Sequence, residues 1–379
     1  MSEPARIAVV GLGAVARAVH LPILSRRSDR FEIAGICDLV GDAVDAVGNR
    51  FSIAADRRFT SLDHMLDTVT ADALAVLTSG SHAATAVAGL RRGLAVLCEK
   101  PLAMTLREAD LLTAAVRGRR DRFMLAYMKL YDPAVRRAID LVADRRPRAV
   151  EVTVLHPSDS AQLAVSDLGP GVFTMPFETA SDLERRARAL EIEALGDAAA
   201  SLGALYSGVL LGSVVHDLAV LRALGVEIAV VDHAERWPAG TVPGSLAVHG
   251  RTIDGVRVAV HWHYLHDYPT YREHVRWHDE RGSVELEFPS PYLLRAPTVL
   301  REIVAAGDGV GDHRITSHAE AFEEQWMAFH AMVTRGVAPA AGMAEGRADI
   351  VTCQRVAAAL AEREGITIGG EAGQAIAAS

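Results

Sequence analysis

The sequence predicts an α/β protein with two domains. The first part is expected to form a doubly wound parallel sheet, and the second an α+β domain with a large, mainly antiparallel open sheet. Three observations support this: a glycine-rich turn directly after the first apolar run, short apolar runs that alternate with helical stretches up to about residue 130, and strand-like alternation from residue 150 onwards. The length of 379 residues suits two domains, which we place at 1–130 and 131–379.

The first element is a buried strand over residues 6–10 that leads into the turn Gly11-Leu12-Gly13-Ala14-Val15-Ala16 and then into a helix. The first glycine permits the tight turn, the second lets a pyrophosphate approach the backbone, and the small Ala16 lets the helix pack on the strand. This arrangement is typical of a Rossmann dinucleotide-binding domain. The predicted cofactor contacts of this turn are Gly11, Leu12, Gly13, Ala14 and Val15.

A second apolar strand ends at Asp38, 22 residues after Ala16. A carboxylate at this position accepts hydrogen bonds from the adenosine ribose hydroxyls. It would repel a 2′-phosphate, and Leu39 and Val40 offer no arginine to receive one. The expected cofactor is therefore NAD, with NADP less favoured.

Two further strands end in polar loops at the same edge of the sheet. The strand at 73–77 runs into the loop 78–82, and the strand at 94–98 runs into Glu99-Lys100-Pro101. Because ligands of open α/β sheets bind at the carboxyl edge, these loops are expected to face the nicotinamide. The residues predicted to bind the cofactor there are Thr78, Ser79, His82, Glu99 and Lys100.

These residues resemble the glucose-fructose oxidoreductase / inositol dehydrogenase / rhizopine-catabolism (Gfo/Idh/MocA) family. The resemblance rests on the glycine turn, Asp38, His82 and above all residues 98–103, and it continues through residues 127–133. It implies an NAD(P)-dependent dehydrogenase of sugars, cyclitols or similar hydroxy compounds. In such a protein Lys100 is a catalytic residue and Glu99 helps to hold the site.

An apolar helix is predicted over residues 208–221, interrupted by His216 and Asp217. The family has a histidine on the matching helix and uses it beside the lysine, so the predicted catalytic residues are Lys100, His216 and Asp217. The family also has an aspartate four residues before this histidine, where the present chain has Gly212. Asp217 lies about 100° round the helix from His216 and does not replace that side chain. A loop carboxylate such as Asp167, or a water, is expected to take the place of the missing aspartate.

The remaining predictions concern substrate and metal binding. Tyr127 and Lys129 either line the substrate pocket, with Lys100 and His216, or pack the linker. The stretch 157–180 is either a cover over the substrate or a plain insertion, and residues 181–200 are expected to form an exposed helix. Five histidines lie between 261 and 278, but no cysteine accompanies them and no third ligand is fixed by spacing, so no metal site is predicted. Residues 370–379 are expected to be a loose tail.

Composition excludes several classes of protein. The net charge of −9 argues against nucleic acid or an anionic membrane as partner, and no apolar run reaches the length of a membrane span. Three widely spaced cysteines and an N-terminus without a basic region before the first strand indicate a cytoplasmic protein with reduced thiols. An antiparallel sheet with one free face predicts a homodimer or homotetramer formed through the C-terminal sheet.

The predicted reaction is the reversible oxidation of a secondary alcohol on a sugar, cyclitol or nucleotide-sugar, with hydride passing to nicotinamide. Lys100 orients the hydroxyl or takes its proton, and His216 is the other candidate base. Two alternatives remain. One is a tightly bound NAD that is used transiently in epimerisation, hydrolysis or redox between two sugars. The other is a non-catalytic regulator that binds NAD.

Overall fold

The structure is a computed structural model that describes residues 3–116, 122–169 and 173–377. The chain divides into two units, each assembled from three segments. The N-terminal unit comprises Met1–Tyr127, Ser166–Leu190 and Gln325–Arg347. The C-terminal unit comprises Met128–Val165, Glu191–Glu324 and Ala348–Ser379.

The N-terminal unit is built on a six-stranded parallel sheet in the order β3-β2-β1-β4-β5-β6. Its strands are β1 (Ala5–Val10), β2 (Phe31–Cys37), β3 (Arg58–Phe59), β4 (Ala73–Val76), β5 (Ala95–Cys98) and β6 (Phe123–Leu125). All four residues of β4 and of β5 are buried, as expected for strands covered by helices on both faces. The strand order reverses between β1 and β4, which is where open sheets of this kind bind ligands.

Helices connect these strands. They are α1 (Leu21–Arg26), preceded by a π-helical turn over Ala16–His20, then α2 (Gly41–Arg50), α3 (Leu62–Thr68), α4 (Ala83–Arg91) and α5 (Leu106–Val116). The Ser61 hydroxyl accepts a hydrogen bond from the N–H of His64 at 3.4 Å and so caps α3. The predicted doubly wound parallel sheet is confirmed.

The C-terminal unit is built on an eight-stranded sheet in the order β14-β13-β12-β11-β7-β10-β9-β8. Its strands are β7 (Ala149–His156), β8 (Val230–Trp237), β9 (Ser245–Arg251), β10 (Arg257–Tyr264), β11 (Arg272–Asp279), β12 (Gly282–Phe288), β13 (Val299–Ala306) and β14 (Gly309–Thr316). Among the described residues, neighbouring strands pair antiparallel except β7 and β10, which are parallel. The expectation of a mainly antiparallel sheet is confirmed.

Eight further helices lie between residues 133 and 377 of the described chain. They are α6 (Pro133–Val142), α7 (Asp159–Leu163), α8 (Phe177–Leu195), α9 (Ala199–Leu205), α10 (Val215–Ala223), α11 (Ala321–Arg335), α12 (Met343–Glu364) and α13 (Gly370–Ala377). A π-helical segment, Tyr206–Val214, joins α9 to α10. The prediction of a loose tail is wrong for residues 370–377, which form α13; residues 378–379 lie outside the described part.

The helical run 177–223 contains a window of residues apolar enough to cross a membrane by composition, but 61% of that window is buried inside the protein. This is the burial expected of a core helix. The three cysteines are buried and unpaired, and burial together with the charge of Asp38 raises the pKa of the Cys37 thiol to about 12.

Candidate active site

The glycine turn closes against the end of β4. Gly11 has a φ of +89°, and a Cβ there would lie 2.6 Å from the backbone nitrogen of Thr78, so only glycine fits. Gly13 is exposed, and a Cβ at that position would meet nothing within 4 Å. Gly11 therefore serves the packing of the turn, whereas Gly13 leaves backbone open to a ligand. This is the division expected for a pyrophosphate site.

Asp38 ties the end of β2 to this turn. One of its carboxylate oxygens, Oδ2, accepts a hydrogen bond from the N–H of Leu12 at 2.7 Å, and the other, Oδ1, accepts one from the N–H of Val40 at 3.0 Å. The side chain is half-buried, and each oxygen retains a lone pair for a further donor. The carboxylate is thus fixed in place and able to receive ribose hydroxyls.

Two arginines that were not identified from the sequence, Arg17 and Arg50, interact electrostatically with each other, and Arg17 also interacts with Asp38. Burial, followed by repulsion from Arg50, lowers the pKa of Arg17, while attraction to Asp38 opposes this shift. Arg50 donates to the Asp167 carboxylate at 3.1 Å. The Asp167 carboxylate, which the sequence suggested as a substitute for the missing family aspartate, is therefore engaged by Arg50.

His82 joins the two polar loops. It is 1% exposed, its Nδ1 lies 2.7 Å from the carbonyl oxygen of Pro101, and its Nε2 lies 2.7 Å from that of Thr78. Both ring nitrogens are thus engaged by backbone, while Thr78 is half-buried and Ser79 is exposed. A direct contact of the His82 ring with a cofactor stays a prediction, because the contacts observed hold the loops together.

Glu99 and Lys100 follow β5 at the same edge. The carboxylate of Glu99 is 6% exposed and uses one oxygen, Oε2, to accept the N–H of Lys100 at 3.2 Å. Its other oxygen, Oε1, lies 3.1 Å from Nε2 of His20. Burial would raise the pKa of Glu99, but the hydrogen bond with His20 and the charge of Lys100 lower it below the usual value. Glu99 is therefore an ionised, fully engaged group, and Lys100 beside it is half-buried.

A cluster of buried ionisable groups lies in the C-terminal unit, between the sheet and α10. Glu273 on β11 is fully buried and accepts hydrogen bonds from the Lys129 ammonium and the Tyr271 hydroxyl. Asp217 on α10 is 1% exposed and hydrogen-bonds to Glu273. Two carboxyl groups can share such a bond only if one is protonated. We refer to Lys129, Asp217, Tyr271 and Glu273 as the buried acid cluster.

The two acids of this cluster have opposite protonation states. Burial, and then the negative charge of Glu273, raise the pKa of Asp217 well above its usual value. Burial also acts to raise the pKa of Glu273, but the charge of Lys129 and the hydrogen bonds it receives outweigh this and lower it. Asp217 is therefore the protonated partner and Glu273 the ionised one.

His216 lies one residue before Asp217 in the first turn of α10 and is half-buried. His216 and Asp217 are about 100° apart on the helix. Because Asp217 points at Glu273, the side chain of His216 faces a different environment. Tyr127 is 1% exposed and Lys129 is 8% exposed, so both are core residues of their units. The Lys129 ammonium donates to Glu273, and whether Lys129 lines the substrate pocket or packs the linker stays a prediction.

Besides the two arginines, four residues were not found from the sequence: His20, Tyr271, Glu273 and Trp326, whose indole N–H donates to Nδ1 of His20. For Glu273 an indication existed, because it occupies an inward position in the alternating stretch 271–277, where its neighbours are apolar. An acidic residue on the buried face of a strand indicates a paired charge. No comparable pattern marks His20 or Trp326.

The fold and the site together define a dinucleotide-binding protein of the Rossmann class, with a lysine placed at the carboxyl edge of its sheet. Residues 5–127 match the family model described as the oxidoreductase family with an NAD-binding Rossmann fold (GFO_IDH_MocA). Over this stretch the chain is similar to the Gfo/Idh/MocA oxidoreductases. The resemblance found in the sequence is confirmed.

Individual relatives agree with this assignment. Inositol 2-dehydrogenase of Salmonella typhimurium is 26% identical over 126 residues, which are 33% of this chain and 37% of the relative, so that match spans little more than a third of the relative's length. Inositol 2-dehydrogenase of Rhizobium meliloti is 23% identical over 372 residues, 96% of this chain and 99% of the relative.

Solved structures share the fold over nearly the whole chain. UDP-N-acetylglucosamine 3-dehydrogenase from Acidithiobacillus ferrooxidans has a TM-score of 0.69 at 18% identity, covering 94% of this chain and 98% of its own. A 3-ketoreductase from Actinomadura kijaniata, solved with NADP and TDP-benzene, has a TM-score of 0.68 at 18% identity, with coverage of 94% and 98%. The cofactor class supported for this family is NAD(P).

Proposed function

We propose that this protein is an NAD(P)-dependent oxidoreductase that interconverts a secondary alcohol and a ketone on a sugar, cyclitol or nucleotide-sugar. The observation that carries this proposal is Lys100, half-buried at the carboxyl edge of the parallel sheet and held there by an ionised Glu99. Three relatives whose names state reactions of this class, on inositol, UDP-N-acetylglucosamine and a keto compound, support it.

In the oxidation, a C–H bond of the substrate breaks with its electron pair, and the hydroxyl loses its proton as the C=O bond forms. The nicotinamide ring supplies the hydride acceptor when the cofactor is bound. Lys100 as a neutral amine hydrogen-bonds to the hydroxyl and accepts its proton, becoming the ammonium, with His216 as the second candidate base. Glu99 acts through Lys100, because its carboxylate binds the Lys100 backbone rather than a reacting atom.

The test is turnover on a panel of polyols and nucleotide-sugars, with Lys100→Ala and Lys100→Arg as matched variants. Lys100→Ala is expected to lose at least about 100-fold in turnover, the lower range for a general acid–base group, with cofactor affinity nearly unchanged. Lys100→Arg keeps the positive charge but does not release a proton at neutral pH, so it separates orientation from proton transfer. Loss of cofactor binding in both variants would show that Lys100 is structural instead.

We infer NAD as the preferred cofactor. The fixed carboxylate of Asp38 supports this, since it accepts ribose hydroxyls and repels a 2′-phosphate. Arg17 and Arg50 favour NADP, because guanidinium groups near Asp38 are suited to bind a phosphate. Arg50 is partly neutralised by Asp167, which leaves the balance with NAD.

Calorimetric titration with NAD, NADH, NADP and NADPH tests this inference. Asp38→Asn keeps an oxygen that accepts the N–H of Leu12 and removes the negative charge, so the preference for NAD over NADP should narrow by about tenfold or more, the value of a charged hydrogen bond. Asp38→Ala loses both the hydrogen-bond acceptor and the negative charge, so it should also weaken the binding of NAD itself. A wild-type preference for NADPH would place Arg17 and Arg50, not Asp38, in control of the ribose.

A second candidate is transient use of a tightly held cofactor. It is favoured by Gly212, where the family has an aspartate. Gly212 lies in the π-helical segment, and a Cβ there would come within 3.3 Å of the Ser207 carbonyl oxygen, which leaves little room for a side chain. Nicotinamide absorbance that stays with the protein through gel filtration, together with product formation without net change in NADH, would establish this mode.

A further inference from the structure

His20 and Trp326 form a buried hydrogen-bonded chain behind Glu99, entirely within the N-terminal unit. Both side chains are fully buried. The indole N–H of Trp326 points at Nδ1 of His20 at 3.0 Å, and Nε2 of His20 lies 3.1 Å from the Glu99 carboxylate. The chain ends at the backbone N–H of Lys100, which the same carboxylate accepts.

The direction of each hydrogen bond follows from the donors available. An indole nitrogen is a donor only, so Nδ1 of His20 must present its lone pair to Trp326. The proton of the ring therefore sits on Nε2 and is donated to Glu99. A doubly protonated ring would turn a second N–H towards the Trp326 donor, which the geometry disfavours. His20 is thus fixed as one neutral tautomer.

This tautomer decides what Glu99 does. A neutral His20 satisfies one oxygen of Glu99 without neutralising its charge, and the second oxygen holds the peptide that carries the Lys100 side chain. We propose that Trp326 and His20 are positioning residues for Lys100: together they hold Glu99 ionised and oriented, and Glu99 in turn fixes the backbone from which Lys100 reaches the reacting hydroxyl. The catalytic half of this inference rests on the proposed function.

The experiment compares His20→Gln with His20→Leu. Glutamine places an amide oxygen and an amide N–H about as far apart as the two imidazole nitrogens, so it restores both hydrogen bonds, whereas leucine restores neither. His20→Leu should lower kcat by about 100-fold with KM for NAD nearly unchanged, the cost of a displacement of about 1 Å at a catalytic group. His20→Gln should recover most of this loss.

The matched control is His330→Leu. His330 lies on the same helix as Trp326, is buried, and packs its ring edge-on against Phe31 at 5.5 Å, yet it is not part of the chain to Glu99. Its substitution removes a buried imidazole from the same region. It should leave kcat close to that of the wild type, so any loss confined to His20→Leu belongs to the chain and not to general loosening.

Two readouts do not depend on turnover. Nitrogen NMR of histidine-labelled protein should show His20, assigned by its absence in His20→Gln, as the tautomer that carries its proton on Nε2. The second readout is the rate at which trinitrobenzenesulfonate modifies Lys100, followed by peptide mass spectrometry. This rate should differ from the wild-type rate in His20→Leu and in Trp326→Phe. It should return towards the wild-type rate in His20→Gln.

These readouts separate the two proposals. If no substrate turns over but the tautomer and the Lys100 labelling behave as expected, the proposed function fails and the positioning chain stands. If turnover is found but His20→Leu matches the wild type in kcat and in labelling, the positioning chain is overturned. A charged His20 ring in the NMR spectrum overturns it as well.

Discussion

At the residue scale, the buried acid cluster places three ionisable groups where water does not reach them. Removing two carboxyl groups and an ammonium group from water is expensive unless they are paired, and here each finds a partner inside the cluster. Because Asp217 keeps a proton, the cluster holds one negative and one positive charge and not two negative charges. Its stability therefore depends on which carboxyl group is altered.

Asp217→Asn should be tolerated, because an amide replaces a protonated carboxyl group and still donates to Glu273. Glu273→Gln should cost about 3–5 kcal/mol in the free energy of unfolding, since it leaves the Lys129 ammonium buried without its counter-charge. Urea unfolding followed by circular dichroism measures both. Equal losses for the two variants would mean that the proton is not on Asp217.

The same pair predicts a pH dependence. The raised pKa of Asp217 means that the native state retains a proton which the unfolded state releases above about pH 4, so the wild-type protein loses stability as the pH rises from there. The amide introduced by Asp217→Asn does not ionise in either state, so the stability of this variant relative to the wild type should increase between about pH 4 and 7. A difference that is constant or decreases with pH contradicts the assignment.

Residue by residue, the sequence was sufficient to locate side chains whose position depends on their own strand end. Gly11, Gly13, Asp38 and Lys100 are of this kind, because each follows a buried strand of a parallel sheet. The partners of Glu273 and Glu99 were beyond reach. Lys129 lies 144 residues from Glu273, and Trp326 lies 306 residues from His20, and local periodicity carries no information on such contacts.

At the scale of elements, strands with one buried face were predictable and fully exposed strands were not. β7, β10, β11 and β12 alternate buried and accessible residues, which is the alternation from residue 150 onwards that predicted the second sheet. β14 has almost no buried residue, and so it lacks the alternation on which a strand prediction depends. β14 is held in the sheet by its backbone pairing with β13, which the side-chain pattern does not predict.

The helix α13 was missed for a different reason: its docking depends on two glycines that approach each other closely. Gly196 has a φ of +61°, and a Cβ there would lie 2.7 Å from the Cα of Gly369, just before α13. The side chain of Gln354 adds a hydrogen bond to Glu371 at 2.8 Å. A short run rich in glycine and alanine reads as a tail until this contact is known.

Gly196→Ala should therefore destabilise the protein more than Gly225→Ala does. Both glycines have a positive φ, but a Cβ on Gly225 would meet nothing within 4 Å. The control isolates the backbone strain of about 1 kcal/mol, and the additional loss in Gly196→Ala reports the contact with Gly369. Hydrogen exchange of residues 370–377 checks the origin, since faster exchange there is expected only in Gly196→Ala.

At the scale of the whole molecule, each unit draws on three separate stretches of the chain. The nature of each unit followed from the sequence in outline, because buried parallel strands and half-buried antiparallel strands have different patterns. The return of residues 325–347 to the N-terminal unit did not. This return places Trp326 and Phe329, both fully buried, in the core of a unit whose other two segments lie far earlier in the sequence.

The late arrival of Trp326 affects the order of events during synthesis on the ribosome. Glu99 and His20 leave the ribosome more than 200 residues before the indole that completes their hydrogen-bonded chain. At about 5–20 residues per second, the carboxylate waits roughly ten to fifty seconds for its final partner. During that interval Phe31 also lacks the two rings, those of Trp326 and His330, that pack edge-on against it in the folded protein.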